Sequence, residues 1–133
     1  MQLLPITTIT TAVFAILMVA LSAQTSLGRA RLKASFGDSA DETLRRRIRA
    51  HGNFAEYAAL ALILLGLVEG LGAARGTVLG LAIALCFARV AHAVGMLYTS
   101  RSGLRAVAML VQHTAFVYAA VLLLQRVLGA GHA

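Results

Sequence analysis

In the stretch "RRRIRAHGNFAEY", Arg45 to Tyr57, four side chains that can do chemistry recur at helical spacing: Arg46, Arg49, Asn53 and Glu56. On an α-helix turning 100° per residue they fall within an arc of about 80° and form one stripe. Guanidinium groups grip carboxylates through paired hydrogen bonds, a carboxylate accepts from an ammonium group, and an amide offers both donor and acceptor. The stripe therefore suits a small, flexible ligand with two carboxylates and an ammonium. Two further clusters can meet it. Arg89 and His92 lie three residues apart on one helical face, and Arg105 precedes Gln112 and His113 by about two turns.

The elements that must position these groups are apolar. The 133 residues are 59% hydrophobic and only 13% charged, outside the range of a soluble domain of this length. Four stretches, Leu3 to Ala23, Ala50 to Leu71, Val78 to Leu97 and Leu104 to Leu128, are long enough to cross about 30 Å of hydrocarbon. The predicted fold is an all-α, up-down-up-down bundle of four transmembrane helices, with residues 1–133 forming one domain. Pro5 fits the first turn of the first helix. "SADE", Ser39 to Glu42, has the form of a capping box, so the second helix is expected to begin near Ala40. The first two or three turns of that helix, carrying Arg45, Arg46, Arg47 and Arg49, then project from the bilayer. Gly70 and Gly72 mark its end, and "YTSRSG", Tyr98 to Gly103, joins the last two helices.

The formal charge of +7 raises nucleic acid as a partner, but its distribution points to topology. Seven basic residues lie between Arg29 and Arg49, Arg101 and Arg105 are in or beside the third connection, and Arg75 is alone in the second. The positive-inside rule then puts the first and third connections in the cytoplasm and both termini on the opposite side. No basic residue precedes the first apolar run, so it reads as a retained helix rather than a signal peptide. The single cysteine, Cys86, lies inside the third run and reads as a small core residue.

A structural reading accounts for the same polar residues. Glu56 and Arg89 would form a buried pair that fixes helix register, while the outer arginines sit among lipid phosphates. His51 reads as interfacial, His113 as a satisfied intramembrane histidine, Glu69 as a snorkelling side chain, and the tyrosines as packing or interface residues.

"RIRAHGNFAEY" on the second helix, "ARVAH" on the third and Arg105 opening the fourth together resemble the MAPEG superfamily of membrane-associated proteins in eicosanoid and glutathione metabolism. "ASFGDSADETLRRRIRAHGN" looks most like its small bacterial inner-membrane branch. The resemblance implies a homotrimer binding glutathione between subunits near the cytoplasmic face. The arginine, asparagine and glutamate that contact glutathione in the family map to Arg49, Asn53 and Glu56. The arginine ending the first helix maps to Arg31, with Arg29 the alternative. The third-helix positions map to Arg89 and His92, and the thiol-activating arginine to Arg105. A third-helix tyrosine falls on Met96 when counted from Arg89 and on Tyr98 when counted back from Arg105. Ala106 and Met109 stand where the prostaglandin synthase of the family has a serine and a tyrosine.

The implied activity is that of a glutathione transferase or peroxidase. A thiolate stabilised by Arg105, with Tyr98 as hydrogen-bond donor, would attack a lipophilic electrophile or a lipid hydroperoxide arriving through the membrane lipid. A second class is a non-catalytic lipid-binding or scaffold protein of the same fold. A third, a small proton-coupled exporter, needs a carboxylate in the first helix, which here carries only Thr and Ser as interior polar residues.

Overall fold

The computed structural model describes residues 4–38, 40–99 and 102–130. Four helices follow one another: α1 Pro5–Leu32, α2 Glu42–Gly70, α3 Arg75–Tyr98 and α4 Gly103–Ala130. All four are long and apolar enough to cross a membrane. Their outward faces carry large apolar side chains such as Ile16, Ile83, Leu110 and Leu124, each at least 60% exposed. An apolar exterior of this extent belongs in lipid, and the chain is an integral membrane protein. α2 packs against all three other helices, α3 closes on α4, and α1 reaches α3 but not α4.

α1 runs further than its apolar stretch. It continues through Gln24 to Leu32, about 42 Å in all at 1.5 Å per residue. Beyond the hydrocarbon its Arg, Ala, Leu and Gln residues favour helix, and Arg29 and Arg31 suit the negative end of the helix dipole. Lys33, at φ 50°, then turns left-handed, and the amides of Lys33 and Ala34 donate to the carbonyls of Ala30 and Arg29. This is the Schellman stop, made with lysine where glycine is usual.

α2 begins two residues later than expected. Ser39, the first residue of the expected capping box, lies outside the described residues, and Ala40 is left-handed at φ 58°. Asp41 is the cap, its carboxylate accepting from the Leu44 amide at 2.6 Å. The connection is tied at both ends. Arg29 donates to the Gly37 carbonyl at 2.8 Å, and Arg45 to the Asp38 carboxylate at 2.7 Å. Gly28 lets α1 and α2 close together, since a Cβ there would stand 3.1 Å from both Leu44 Cδ1 and Arg47 Nη1. Arg47 reaches across it to the Gln24 carbonyl at 3.3 Å.

The other end of the bundle is closed by Glu69. Its two carboxylate oxygens accept from the amides of Ile6, at 3.0 Å, and Thr7, at 2.7 Å. Glu69 therefore turns inward and caps α1, where the sequence reading had it snorkelling outward. Pro5 has no N–H, so these are the first amides of α1 in need of an acceptor. Gly72, at φ 72°, makes the tight turn into α3, and Arg126 of α4 donates to its carbonyl at 3.4 Å. Between the two ends Phe14 packs on Phe54, ring centroids 5.4 Å apart, amid Leu21, Leu65, Val78 and Leu85.

Replacing Glu69 with alanine removes a charged cap from α1. We expect a loss of about 1–2 kcal/mol in unfolding measured in detergent, with the basic end of the bundle unaffected. At the opposite end the Arg45 guanidinium, with the Ala40 amide, holds the Asp38 carboxyl below its ordinary value. A carboxylate depressed by folding stabilises the connection above its ordinary pKa near 3.8 and ceases to do so as pH falls through the lower folded value. Hydrogen exchange in the α1–α2 connection should accelerate across that acid range in the wild type, and the step should vanish in Asp38→Asn.

Candidate functional site

Every residue of the predicted site lies in the half of the bundle where α1 and α3 end and α2 and α4 begin. The deepest is Arg89 of α3, 1% exposed. Its Nη1 donates to the Asn53 side-chain oxygen at 3.0 Å and to the Asn53 carbonyl at 3.5 Å. Its Nη2 points to Met109 Sδ at 3.7 Å, and its Cζ lies 4.9 Å from the centre of the Tyr57 ring. One guanidinium thus ties α2, α3 and α4 together through an amide, a thioether and a π face. Glu56 is not its counter-ion. The expected Glu56–Arg89 pair is absent among the described residues, because Asn53, one turn earlier on α2, takes the inward position and Glu56 stays exposed.

Around this cluster Tyr57 meets His113 edge-on at 5.8 Å and Phe116 at 6.2 Å. His92, 8% exposed, lies one turn from Arg89 towards the end of α3. Gln112 is fully buried, and neither its amide nitrogen nor its oxygen has a protein partner.

Along the chain the carboxylates are allotted almost completely. Of the five in the chain, Asp38 pairs with Arg45, Asp41 caps α2, Glu42 pairs with Arg46 at 2.8 Å, and Glu69 caps α1. Arg46 is further held by the Thr99 carbonyl at 3.3 Å. Glu56 alone has no hydrogen bond or ion pair among the described residues, and the same is true of the exposed Arg31 and Arg49. Arg49, Asn53 and Glu56 thus present an unneutralised cation, a half-buried amide and a carboxylate along one helix face.

Arg105, in the first turn of α4, is half-buried and donates from Nη1 to Met96 Sδ at 3.2 Å. Its side chain passes over Gly95, where a Cβ would stand 2.8 Å from Arg105 Cγ. Tyr98, the other candidate for this neighbourhood, ends α3 at 75% exposure and has no hydrogen bond or ring contact among the described residues. The structure therefore brings together Asn53 with Arg89, and Arg105 with Met96. It leaves Arg31, Arg49, Glu56 and Tyr98 at the surface of a single chain. Tyr57 as the π partner of Arg89 was missed, although its place one turn after Asn53 on the same face was the available signal. Nothing in the sequence marked Gly95.

Removing Asn53 strands a buried cation, whereas removing both members of the pair does not. Asn53→Leu should cost about 1.5–3 kcal/mol, the worth of a hydrogen bond to a charged group. In a double-mutant cycle with Arg89→Leu the two losses should fall well short of additive, which detergent unfolding can measure.

Neither a curated protein nor a solved structure matches the chain. A family model does match, over residues 7–125, a span that covers α2 and α3, most of α1 and α4, and every candidate residue. With its four membrane-crossing helices and its arginine, asparagine and glutamate stripe on the second of them, the chain belongs to the MAPEG family.

Proposed function

We propose that this chain binds glutathione at its basic end, between neighbouring copies of a homotrimer, and uses the tripeptide thiol as a membrane transferase or peroxidase. Membership of a family concerned with glutathione and eicosanoid metabolism supports the general class. The observation that carries the reading is the pair Arg49 and Glu56, both without a partner among the described residues, flanking Asn53 on one helix face. Every other carboxylate has a structural task, and Arg49 has no counter-ion of its own among the described residues.

Glutathione has two carboxylates, an ammonium group and a thiol. Arg49, with Arg31 from the end of α1, grips carboxylates, and Glu56 accepts from the ammonium. The Asn53 oxygen is engaged by Arg89, so its amide N–H is left to donate to the ligand. Arg89 and His92 form the floor of the site and Tyr98 its rim. Both Arg31 and Glu56 are exposed on the single chain, as an intersubunit site requires. The basic end faces the cytoplasm of a bacterial inner membrane, and both termini lie on the other side.

A free thiol ionises near 8.5 and is therefore mostly protonated at neutral pH. Arg105 lowers this value by its charge, assisted by the positive end of the α4 dipole, and the released proton passes to water. The thiolate attacks an electrophilic carbon, forming a C–S bond as the leaving group departs or a double bond accepts the electron pair. With a lipid hydroperoxide it takes the terminal oxygen and releases the alcohol after protonation. A second glutathione then reduces the sulfenic acid to disulfide and water. Ala106 and Met109 provide no hydroxyl, so the charge of Arg105 carries most of this activation.

A second reading, a lipid-binding scaffold without turnover, is favoured by the groove of about 670 Å³ between α1 and α3, lined by residues such as Ile9, Val13, Ile83, Phe87 and Val90. Direct binding separates the two readings. In purified protein Arg49→Ala should weaken glutathione binding at least about tenfold. Arg105→Ala should keep binding but lose the ultraviolet absorbance of the bound thiolate. Folded wild-type protein that does not bind glutathione would overturn the proposal in favour of the scaffold.

A further inference from the structure

Arg105 is held differently from the other arginines of the basic end. Arg45 and Arg46 meet carboxylates, Arg29 and Arg47 meet backbone carbonyls, Arg89 meets an amide oxygen besides the more distant Met109 sulfur, and Arg31 and Arg49 meet no partner among the described residues. Arg105 meets the sulfur of Met96 at 3.2 Å and no other hydrogen-bond acceptor among the described residues. A thioether is a weak, uncharged acceptor: it orients a guanidinium without neutralising it and yields to an anion, which accepts more strongly and brings an opposite charge.

The stem of the same side chain is fixed by an absence of atoms. Gly95 is buried where α3 crosses the first turn of α4. A Cβ at this position would stand 2.8 Å from Arg105 Cγ, 3.5 Å from its backbone nitrogen and 3.7 Å from Leu104 Cβ. The first of these is closer than side-chain carbons approach one another, while the other two are ordinary van der Waals separations. A larger residue must therefore displace the stem of the arginine side chain.

We propose that Gly95 and Met96 form a two-residue seat for Arg105, the glycine admitting its stem and the thioether aiming its head until an anionic sulfur displaces the methionine. Both are positioning residues, acting on the ligand only through Arg105. This assignment rests on Arg105 facing the glutathione sulfur and adds the residues that determine where its charge sits. It also gives Met96 a task distinct from that of a hydroxyl donor. The methionine prepares the cation for the thiolate rather than hydrogen-bonding the thiolate itself.

The test compares two glutathione analogues on the full-length protein in detergent, one with a sulfonate in place of the thiol and one with an S-methyl group. The sulfonate carries a permanent negative charge at the sulfur position and the thioether analogue carries none. The ratio of their affinities reports the placement of Arg105 and cancels any general loss of binding or stability. Wild-type protein should prefer the sulfonate. Gly95→Ala should lower that preference about tenfold, comparable to losing a hydrogen bond between charged groups. Met96→Leu, which keeps volume and loses the acceptor, should lower it about two- to fivefold. Should Gly95→Ala fail to fold, Met96→Leu decides alone. Wild-type preference retained in Met96→Leu and in any folded Gly95→Ala would overturn the seat while leaving the glutathione reading intact. Wild-type protein that binds neither analogue, or both equally, would overturn the role of Arg105 and the seat with it.

Discussion

The guanidinium of Arg89, sealed inside a bundle that itself sits in hydrocarbon, is the constraint around which the other polar groups arrange themselves. A charge at membrane depth costs roughly 2.5–3.5 kcal/mol on insertion scales, so its surroundings must compensate it. They do so in part and without a carboxylate, leaving the buried Nε with no hydrogen-bond partner among the described residues. Asn53 accepts twice, Met109 offers sulfur, and Tyr57 presents its ring face. Each contact fixes a relation between helices: α2 to α3 through Asn53 and Tyr57, α3 to α4 through Met109. An amide rather than a carboxylate meets the charge, and Glu56 stays exposed with no ion pair among the described residues.

The same economy extends along the chain. With five acidic residues against twelve basic ones, the placement of each carboxylate has consequences beyond its own contact. Asp38, Asp41 and Glu42 order the start of α2 and the connection before it. Glu69 closes the far end by capping α1. The potential left at the basic end is therefore positive: among the described residues only Arg45 and Arg46 have carboxylate partners there, while Arg29, Arg31, Lys33, Arg47, Arg49, Arg89 and Arg105 have none. A surface of this kind raises the local concentration of an anionic ligand before any specific contact is made.

The four helices, their order and the gathering of the candidate residues at one end were legible in the sequence, because hydrophobic length and charge asymmetry are properties of whole segments. Pro5 and the Gly70 to Gly72 turn were legible for a local reason, since each acts through its own backbone. The reach of α1 to Leu32 was not, because an apolar run records where hydrocarbon ends and not where the helix does. The partner of Arg89 was not legible for a related reason, and the pairing with Glu56 that one of the two readings offered is not formed. Helical spacing places Asn53 and Glu56 on one face but cannot say which of them the neighbouring helix covers. Glu69 was misread because its acceptors' partners, the Ile6 and Thr7 amides, belong to a helix more than sixty residues away in the chain. Gly95 and Met96 became meaningful only once the crossing of α3 and α4 put them against Arg105.

The central claim is that the basic end of this bundle is built for a tripeptide thiol rather than for lipid phosphate. The most direct measurement is a structure of the protein in an anionic lipid nanodisc at saturating glutathione. The account predicts the tripeptide lying along α2, with a carboxylate on Arg49, its ammonium at Glu56 and its sulfur facing Arg105. A lipid headgroup bound by these arginines with no tripeptide beside Glu56 would contradict it.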